Sequence, residues 1–519
     1  MKTRDSNPNK ELYRRLRKLS AEQLWTEEVP KFNRATQRER VERVALVRAV
    51  SVVFSESGTE NQRKLVKPWL LNLLQDPEEK IRRYAMAALP KIGAGPGEET
   101  ELLSLLRTTE SDREKKYLAR TLEKVGGSAT LETLAEGADG FSRQTEQKVR
   151  ASVARNQSPS KVCSHRVISQ IEGIRIHLRG RRGLENIVRD EIKGSALAKD
   201  KFRIEEVSAG LVALTPCSPF SLNDIYGLRC FGTVGFVLGT VDASEATGVA
   251  EAVPRAITSP LSRRLLQTFT EGSIRYRLDF VSQGHQRGAI RQMTERAYAL
   301  CPDILNDPRQ APWVVGVHPG SQGSLVELSP RFSPDPRFSY RQHDVPAASH
   351  PQLAASMARI AGPMDGEIIW DPFCGSGLEL VERSMIGGVR HVYGTDLSLE
   401  AIQIAWDNLR AANIQSLKST FLCRDFRDLD GVSGLGPNSV TLVITNPPMG
   451  KRVPIPDLPG LIRDLFFAAE KVLKPGGRLV FANPLPLENP VRSLKLQSAQ
   501  VVDFGGFDCR LEKYIKSPR

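Results

Sequence analysis

The sequence predicts a multidomain protein in which an α-helical N-terminal domain precedes an α+β middle region and a doubly wound α/β C-terminal domain. Three observations lead to this prediction. Residues 1–140 have helical periodicity with an internal repeat, residues 164–335 alternate short strand and helix patterns, and apolar strands separated by helices begin near residue 340. A chain of 519 residues is long enough for three or four domains of about 100–200 residues each.

The N-terminal domain, residues 1–140, contains two copies of a helical unit. The segments LVKPWLLNLLQDPEEKIRRYAMAALPKIG and ETELLSLLRTTESDREKKYLARTLEKVG align at an offset of 33 residues, which places Tyr84 opposite Tyr117. Each copy is a helix, a polar break and a second helix that ends in glycine, a common helix stop. The pattern resembles a short HEAT-like repeat, and it suits either a curved docking surface for a protein or a plain helical bundle.

A polar, Ser- and Gln-rich segment, residues 141–163, is predicted to be a linker. In the middle region that follows, residues 164–335, GIRIHLRG alternates like a strand and RGLENIVRDEIKG has the spacing of an amphipathic helix ending at Gly194. The helical pattern returns in IRQMTERAYALCP, and the strand pattern in APWVVGVH. Short alternating elements of this kind predict small α+β modules.

The C-terminal domain, residues 340–519, is predicted to contain a parallel sheet with helices on both faces. Its strand segments are almost wholly apolar, as expected for strands buried on both sides. They are Glu367–Phe373, His391–Asp396, Ser419–Phe426, Ser439–Thr445 and Arg478–Asn483. The final segment, QVVDFGGFDCRLEKYIKSPR, can supply two further strands.

Charge and composition limit the classes of partner. Lys and Arg outnumber Asp and Glu by 73 to 60, and the net charge of +13 favours an anionic partner, most often nucleic acid. The seven cysteines are scattered without a CxxC pair, which predicts a cytoplasmic protein with neither a disulfide framework nor a metal site. No apolar run approaches the roughly 20 residues that span a membrane, and the basic N-terminus lacks the apolar core of a secretory signal.

The loop after the first C-terminal strand, DPFCGSG, suits close approach of a ligand. Gly375 and Gly377 stand between strand and helix, but Leu380 occupies the place of the third glycine of a dinucleotide fingerprint, and there is no P-loop lysine. Acidic residues instead stand at the ends of three successive strands: Asp371, Asp396 and Asp425.

Each of these acids alone is more often a cap or turn residue, so their interpretation as a ligand site depends on their order. Asp396, at the end of the second strand, can accept hydrogen bonds from two ribose hydroxyls. Asp425 can accept one from the exocyclic amine of adenine, while the neighbouring Phe426 flanks the ring. Three acids in this arrangement suit adenosine without phosphates and a ligand that carries positive charge.

These motifs resemble a known family. DPFCGSG, the two later acids and the segment TNPPMGKR are similar, in order and spacing, to class I S-adenosylmethionine-dependent methyltransferases that methylate amino groups of nucleic-acid bases. The middle region looks like a ferredoxin-like module followed by a THUMP domain, and the chain from there onward resembles the THUMP-domain RNA guanine-N2 methyltransferases. The resemblance implies a Rossmann-like C-terminal domain with S-adenosylmethionine as its cofactor. The HEAT-like N-terminal region lies outside the family's usual plan.

The resemblance also implies roles for individual residues. The cofactor-binding residues would be His350, Asp371, Pro372, Gly375, Ser376, Gly377, Asp396, Leu397, Asp425, Phe426 and Asn446. The catalytic loop would be Asn446, Pro447, Pro448 and Met449. The Asn446 side-chain oxygen and the Pro447 carbonyl would accept the two N–H bonds of a base amine and direct its lone pair at the methyl group. Met449 stands where the family usually has an aromatic residue that stacks on the base, which leaves guanine-N2 and adenine-N6 methylation both open.

Basic residues are the expected RNA contacts. Lys451 and Arg452 follow the loop, as in the family, and can hold a backbone phosphate. Seven arginines of the middle region are further candidates: Arg179, Arg181, Arg182, Arg275, Arg277, Arg287 and Arg291. The expected substrate is structured RNA, with tRNA favoured over ribosomal RNA. A second hypothesis stays open, that of an RNA-binding scaffold with an inactive methyltransferase domain and a protein docked on the HEAT-like part.

Overall fold

The structure, a computed structural model, describes residues 8–135, 143–157, 159–241, 246–282, 284, 286–320, 323–332, 335–346, 348–450, 455–485 and 489–518. The chain divides into two compact units. The first comprises Met1–Lys161 and Thr240–Ser324, and the second comprises Val162–Gly239 and Leu325–Arg519. The predicted middle region, residues 164–335, is thus divided, and its first part belongs to the same unit as the C-terminal domain.

The N-terminal part of the first unit is helical, as predicted. Its helices are α1 Pro8–Leu16, α2 Ala21–Gln23, α3 Val29–Arg34, α4 Gln37–Glu42, α5 Ala45–Ser57, α6 Glu60–Asn72, α7 Glu79–Ala88, α8 Glu99–Thr108, α9 Asp112–Val125, α10 Ser128–Ala135 and α11 Arg143–Gln157. The two sequence repeats are the helix pairs α6–α7 and α8–α9. Ala85 and Leu89 of the first copy correspond to Leu118 and Leu122 of the second, and all four are buried in one apolar core. Their spacing of four residues places each pair on one helix face. The HEAT-like classification stays a prediction.

The predicted linker, residues 141–163, is wrong for most of its length, because residues 143–157 form α11. Val149, Ala151 and Val153 are buried. Arg155 donates to Asp307 Oδ1 over 2.8 Å, and Asp307 is fully buried. Because this helix is held partly by ion pairs, its composition is more polar than that of an ordinary buried helix.

Short strands and helices alternate in the next part of the chain, as the α+β prediction requires. The strands are β1 Ser160–Val162, β2 Val167–Ile168, β3 Ile176–Arg179, β4 Phe202–Ser208, β5 Leu211–Pro216, β6 Phe220–Ser221, β7 Thr233–Val241, β8 Thr270–Gly272, β9 Ile274–Phe280, β10 Ile304–Asn306, β11 Trp313–Gly320 and β12 Gly323–Pro330. The helices are α12 Glu185–Gly194, α13 Leu222–Tyr226, α14 Ala246–Ile257, α15 Pro260–Phe269 and α16 Arg287–Leu300. In the first unit, β9 lies between β10 and β11 and is parallel to both. In the second unit, β3 lies between β5 and β7 and is antiparallel to both.

The C-terminal part of the second unit is a doubly wound α/β domain. Its helices are α17 Pro351–Ala361, α18 Leu378–Met385, α19 Leu399–Ala411 and α20 Leu458–Val472. Its strands are β13 Glu367–Asp371, β14 Val389–Asp396, β15 Lys418–Cys423, β16 Val440–Thr445, β17 Leu473–Asn483, β18 Leu494–Asp503 and β19 Asp508–Lys516. The five predicted strands and the two further strands at the end are all present.

The strands of this sheet lie in the order β15-β14-β13-β16-β17-β19-β18. The first five are parallel, and β19 is antiparallel to both of its neighbours. One apolar cluster includes side chains of α17, α18 and α19, and a second includes α20. The strand order reverses between β13 and β16, and the carboxyl ends of strands at such a reversal form a crevice that commonly binds ligands. Among the described residues, no helix has the length and apolar character needed to cross a bilayer.

Candidate active site

The candidate site lies at this reversal, where the carboxyl ends of β13, β14 and β16 meet. Three segments form it: the loop between β13 and α18, the turn after β14, and residues 446–450 after β16. Hydrogen bonds join the first two, because the Gly375 N–H donates to Asp396 Oδ2 over 3.0 Å and the Cys374 N–H donates to the Thr395 carbonyl over 3.0 Å.

The glycines of the first loop have different roles. Gly377 has φ +80 where α18 begins, and a Cβ there would lie 3.1 Å from the Ala405 Cβ, so glycine lets α18 and α19 approach. Gly375 has φ +49, and the nearest side-chain atom to a Cβ there would be Val345 Cγ2, 3.7 Å away. The space beside Gly375 is thus accessible to a ligand. Pro372 and Ser376 are buried, and their carbonyls accept hydrogen bonds from Thr395 and Asn408, so they shape the loop from within.

Asp371 is fully buried at the end of β13. Its Oδ1 accepts a hydrogen bond from the Phe373 N–H over 3.0 Å, whereas Oδ2 has no hydrogen bond of ordinary geometry among the described residues. Burial raises the pKa of this carboxyl well above its usual range, and the nearby Glu379 carboxylate raises it further. A cationic group at this position would stabilise the ionised form of Asp371.

Asp396 accepts backbone hydrogen bonds that stabilise the loop, and its carboxylate remains accessible to a ligand. Its Oδ2 accepts from the Gly375 N–H, and its Oδ1 accepts from the Ser398 N–H over 2.9 Å. Each carboxylate oxygen has a further acceptor site, so ribose hydroxyls can still bind. The neighbouring Leu397 is 75% exposed, which leaves an apolar surface beside this carboxylate.

The third acid is engaged within the protein. Asp425 accepts a hydrogen bond from the Arg427 backbone and pairs with its guanidinium over 3.1 Å. The predicted flanking role of Phe426 needs correction, because this side chain is 3% exposed and its ring lies 4.7 Å from that of Phe373. Phe373 is partly exposed, so it is the member of this pair that a ligand can contact.

Asn446 lies directly after β16, with its side-chain amide held in one orientation. Its Nδ2 donates to Ser349 Oγ over 2.8 Å, and Ser349 Oγ donates in turn to Glu379 Oε1. The Asn446 Oδ1 is buried and has no hydrogen-bond partner among the described residues. Asn446 could be predicted from its motif, whereas Ser349 and Glu379 were not predicted as site residues. The signal for Glu379 was an acid in the first turn of the helix that follows the glycine loop.

The rest of the loop after β16 is partly buried. Pro447 is buried, Pro448 is half-buried, and Met449 packs against the apolar cluster of α17, α18 and α19. Gly450 has φ +74, which turns the chain away from the strand. Lys451 and Arg452, the predicted phosphate contacts, lie outside the described residues.

His350 stands at the start of α17, immediately after Ser349, and is exposed to solvent. The surrounding protein lowers the pKa of its imidazole, and the positive charges of Arg181 and Arg341 lower it further. The side chain is therefore biased toward the neutral form, in which it can both donate and accept a hydrogen bond.

The predicted RNA-binding arginines of the middle region separate into two groups. Arg275 is 3% exposed and pairs with Asp307, so its prediction as an RNA contact is wrong. Arg179 pairs with buried Glu327 over 2.8 Å. Arg181 and Arg182 donate to the β18–β19 hairpin, at the Asp503 carbonyl and the Asp508 carboxylate. Arg277 is partly exposed and pairs with Asp279 over 2.9 Å. Arg182, Arg287 and Arg291 lie on exposed surface.

Comparisons with known proteins identify this part of the chain. Residues 339–502 match the model of the UPF0020 family, described as an RMKL-like methyltransferase domain. Residues 339–502 form a methyltransferase domain. Among the described residues of the whole chain, no group of three or more His, Cys, Asp or Glu side chains is placed to hold a metal ion.

Two curated relatives and one solved structure show the extent of the likeness. A tRNA (guanine(10)-N2)-dimethyltransferase of Methanocaldococcus jannaschii is 28% identical over 149 residues, which are 28% of this chain and 41% of the relative. A U6 snRNA (guanine-N(2))-methyltransferase THUMPD2 of Bos taurus is 31% identical over 133 residues, 25% of this chain and 24% of the relative. The chain thus spans less than half the length of either relative. The crystal structure of TrmN from Thermus thermophilus, 20% identical with a TM-score of 0.51, covers 66% of this chain and 99% of its own, and this likeness is one of fold.

Proposed function

We propose that the chain is an S-adenosylmethionine-dependent RNA methyltransferase that modifies the exocyclic N2 amine of a guanosine in structured RNA. The observation that carries the proposal is the buried, unpartnered Asn446 Oδ1 at the carboxyl edge of the sheet. An acceptor in this position, beside a glycine loop and the carboxylates of Asp371 and Asp396, suits an amine substrate and a cationic adenosine cofactor. The favoured substrate is a tRNA rather than ribosomal RNA. The proposed location of the enzyme is the cytoplasm.

The residues of the site fit S-adenosylmethionine. The buried Asp371 carboxyl suits the cofactor's ammonium group, because a positive charge there offsets the burial of the carboxylate. Asp396 offers acceptors for ribose hydroxyls, and the space at Gly375 admits the ligand close to the backbone. Leu397 and Phe373 supply apolar surface for a base. When bound, the cofactor supplies an electrophilic methyl group.

Asn446 would act on the substrate amine. The lone pair of a base amine is delocalised into the ring, so the free amine is a poor nucleophile. An acceptor oxygen that takes one N–H fixes the orientation of this nitrogen and stabilises the positive charge that develops during transfer. The Pro447 carbonyl is the proposed acceptor for the second N–H. The two prolines restrict φ and bring no backbone N–H that competes for these oxygens.

RNA binding is proposed for surfaces outside the candidate active site. The net charge of +13 supports an anionic partner, and Arg287 and Arg291 are exposed in the part of the chain predicted to contain the THUMP domain. The HEAT-like helices are the proposed site for a protein partner.

The proposed reaction is tested by its product. Purified protein, S-adenosylmethionine and folded tRNA are incubated, and the nucleosides of the digested RNA are identified by mass spectrometry. We expect N2-methylguanosine. Detection of N6-methyladenosine instead would mean that the enzyme methylates the N6 amine of adenine. If neither a methylated nucleoside nor cofactor binding is detected, the result would favour the scaffold hypothesis.

Cofactor affinity is expected to rise with pH. The pKa of Asp371 is raised in the free protein, and the cofactor's positive charge would lower it in the complex. Binding therefore releases a proton between these two pKa values, and affinity should increase by up to about tenfold per pH unit until the pKa of the free protein is passed. Isothermal titration calorimetry in buffers of different ionisation enthalpy measures the number of protons released on binding. The Asp371→Asn variant is the control and should flatten the dependence, whereas pH-independent affinity in the wild type would contradict the assignment.

A further inference from the structure

The Asn446 amide belongs to a directed chain of hydrogen bonds. Its Nδ2 donates to Ser349 Oγ over 2.8 Å, and Ser349 Oγ donates to Glu379 Oε1. The donors therefore point one way, from the asparagine through the serine to the buried acid. At the other end of the amide, Oδ1 is buried and has no hydrogen-bond partner among the described residues.

This direction matters because the oxygen and the NH₂ group of a side-chain amide are similar in shape but opposite in hydrogen-bonding polarity. If the Asn446 amide rotated by half a turn, its N–H₂ would face the substrate amine and two donors would oppose each other. A serine hydroxyl has a single proton to donate. Because Ser349 gives that proton to Glu379, it can only accept from Asn446, and the accepting oxygen of the amide must face the site.

Glu379 is an unusual residue for its position. It is 4% exposed, and it forms no ion pair with a Lys or Arg among the described residues. A buried carboxylate without a cation is costly, and an apolar residue would pack in the same place. Its location in the first turn of α18 offsets part of this cost, since backbone N–H groups at a helix start favour negative charge.

We propose that Glu379 and Ser349 are positioning residues for methyl transfer, which set the polarity of the Asn446 amide so that Oδ1 accepts from the substrate amine. This inference rests on the proposed function, since the orientation matters only if an amine binds at Oδ1. Neither residue needs to touch substrate, because both act through Asn446.

The test compares variants at Ser349 and Glu379 in the full-length protein. Ser349→Ala removes the hydroxyl and should lower the single-turnover rate of methyl transfer about tenfold or more, with cofactor and RNA dissociation constants changed less than about threefold. Ser349→Thr keeps a hydroxyl and should restore most of the rate. Glu379→Gln keeps the volume but can also donate, so it no longer dictates the direction and should slow transfer as well. Ser356→Ala is the matched control, because this buried serine of α17 donates to the Gln352 carbonyl of its own helix and should leave the rate unchanged.

A double-mutant cycle separates positioning from general damage. In the Asn446→Ala background, Ser349→Ala should cause no further loss, because the residue that it positions is already absent. Additive losses, or a wild-type rate in Ser349→Ala, would overturn the positioning role while leaving the proposed function standing. The wild-type reaction is measured first, and the absence of any methylated nucleoside there would overturn both proposals.

Discussion

Replacement of Asn446 by alanine is expected to lower the rate of methyl transfer by about 100-fold or more, the scale of losing one preorganised polar contact to a transition state. The reason is that Oδ1 of this residue is buried and unpartnered, so it already stands in the orientation that an amine would need. The cofactor acids are on other strands and remain in place. Single-turnover kinetics and calorimetric titration of the cofactor should therefore separate a large change in rate from a small change in affinity.

Met449→Phe in the same loop is the comparison for this experiment and should have the opposite outcome. Met449 packs against the apolar cluster and is half-buried, so a larger apolar side chain there should be tolerated. A flat ring can add a stacking face for the base, at about 1–3 kcal/mol per base in single-stranded nucleic-acid complexes. Product formation at the wild-type rate by Asn446→Ala would mean that the asparagine and prolines only end the strand.

The C-terminal fold could be predicted closely because a parallel sheet leaves a strong local signal. The predicted strands His391–Asp396 and Ser439–Thr445 correspond to β14 and β16, with each start shifted by one or two residues. An apolar, β-branched run between two helices has few other stable environments. The glycine loop ends where the sequence pattern places it, since Gly377 has a positive φ and α18 begins at Leu378.

Partners that are distant in the chain were harder to predict. Asp425 and Phe426 follow their strand as expected, but a single strand end does not indicate that Arg427 will pair with the acid or that Phe373 will cover the ring. Arg275 looked available to RNA because its partner, Asp307, is 32 residues away. An arginine suits a phosphate and a buried carboxylate equally well, and only the folded chain distinguishes the two.

The positioning residues show the same limit. Ser349 lies 97 residues before Asn446 and 30 before Glu379, and a lone serine has no motif of its own.

The division of the middle region between the two units also depends on contacts between residues that are distant in the sequence. Arg229 pairs with Glu382 of α18 over 2.7 Å, and Arg359 of α17 pairs with Glu191 over 2.9 Å, which holds residues 162–239 to the methyltransferase domain.

The loop at Gly183 is expected to be the most sensitive point of this association. Gly183 has φ +98, and a Cβ there would meet the Val501 carbonyl oxygen and lie 2.9 Å from Val502 Cα in β18. The Asp503 N–H also donates to the Arg182 carbonyl over 2.9 Å, so the two backbones are in direct contact. Gly183→Ala should destabilise this contact by about 2–5 kcal/mol, since it combines left-handed strain of about 1–2 kcal/mol with overpacking of about 1–3 kcal/mol against backbone atoms.

Gly506→Ala separates the two contributions. Gly506 has φ +103 and nothing within 4 Å of its Cβ position, so alanine there carries the conformational strain without the clash. Hydrogen–deuterium exchange resolved to β18 and to residues 178–188 measures local opening in both variants and does not require two-state unfolding of the whole chain. Gly183→Ala should expose both segments, whereas Gly506→Ala should change them by about 1–2 kcal/mol at most. Equal protection in the two variants would mean that a small local shift relieves the clash at Gly183. The close approach of the two backbones would then contribute little to the stability of this contact.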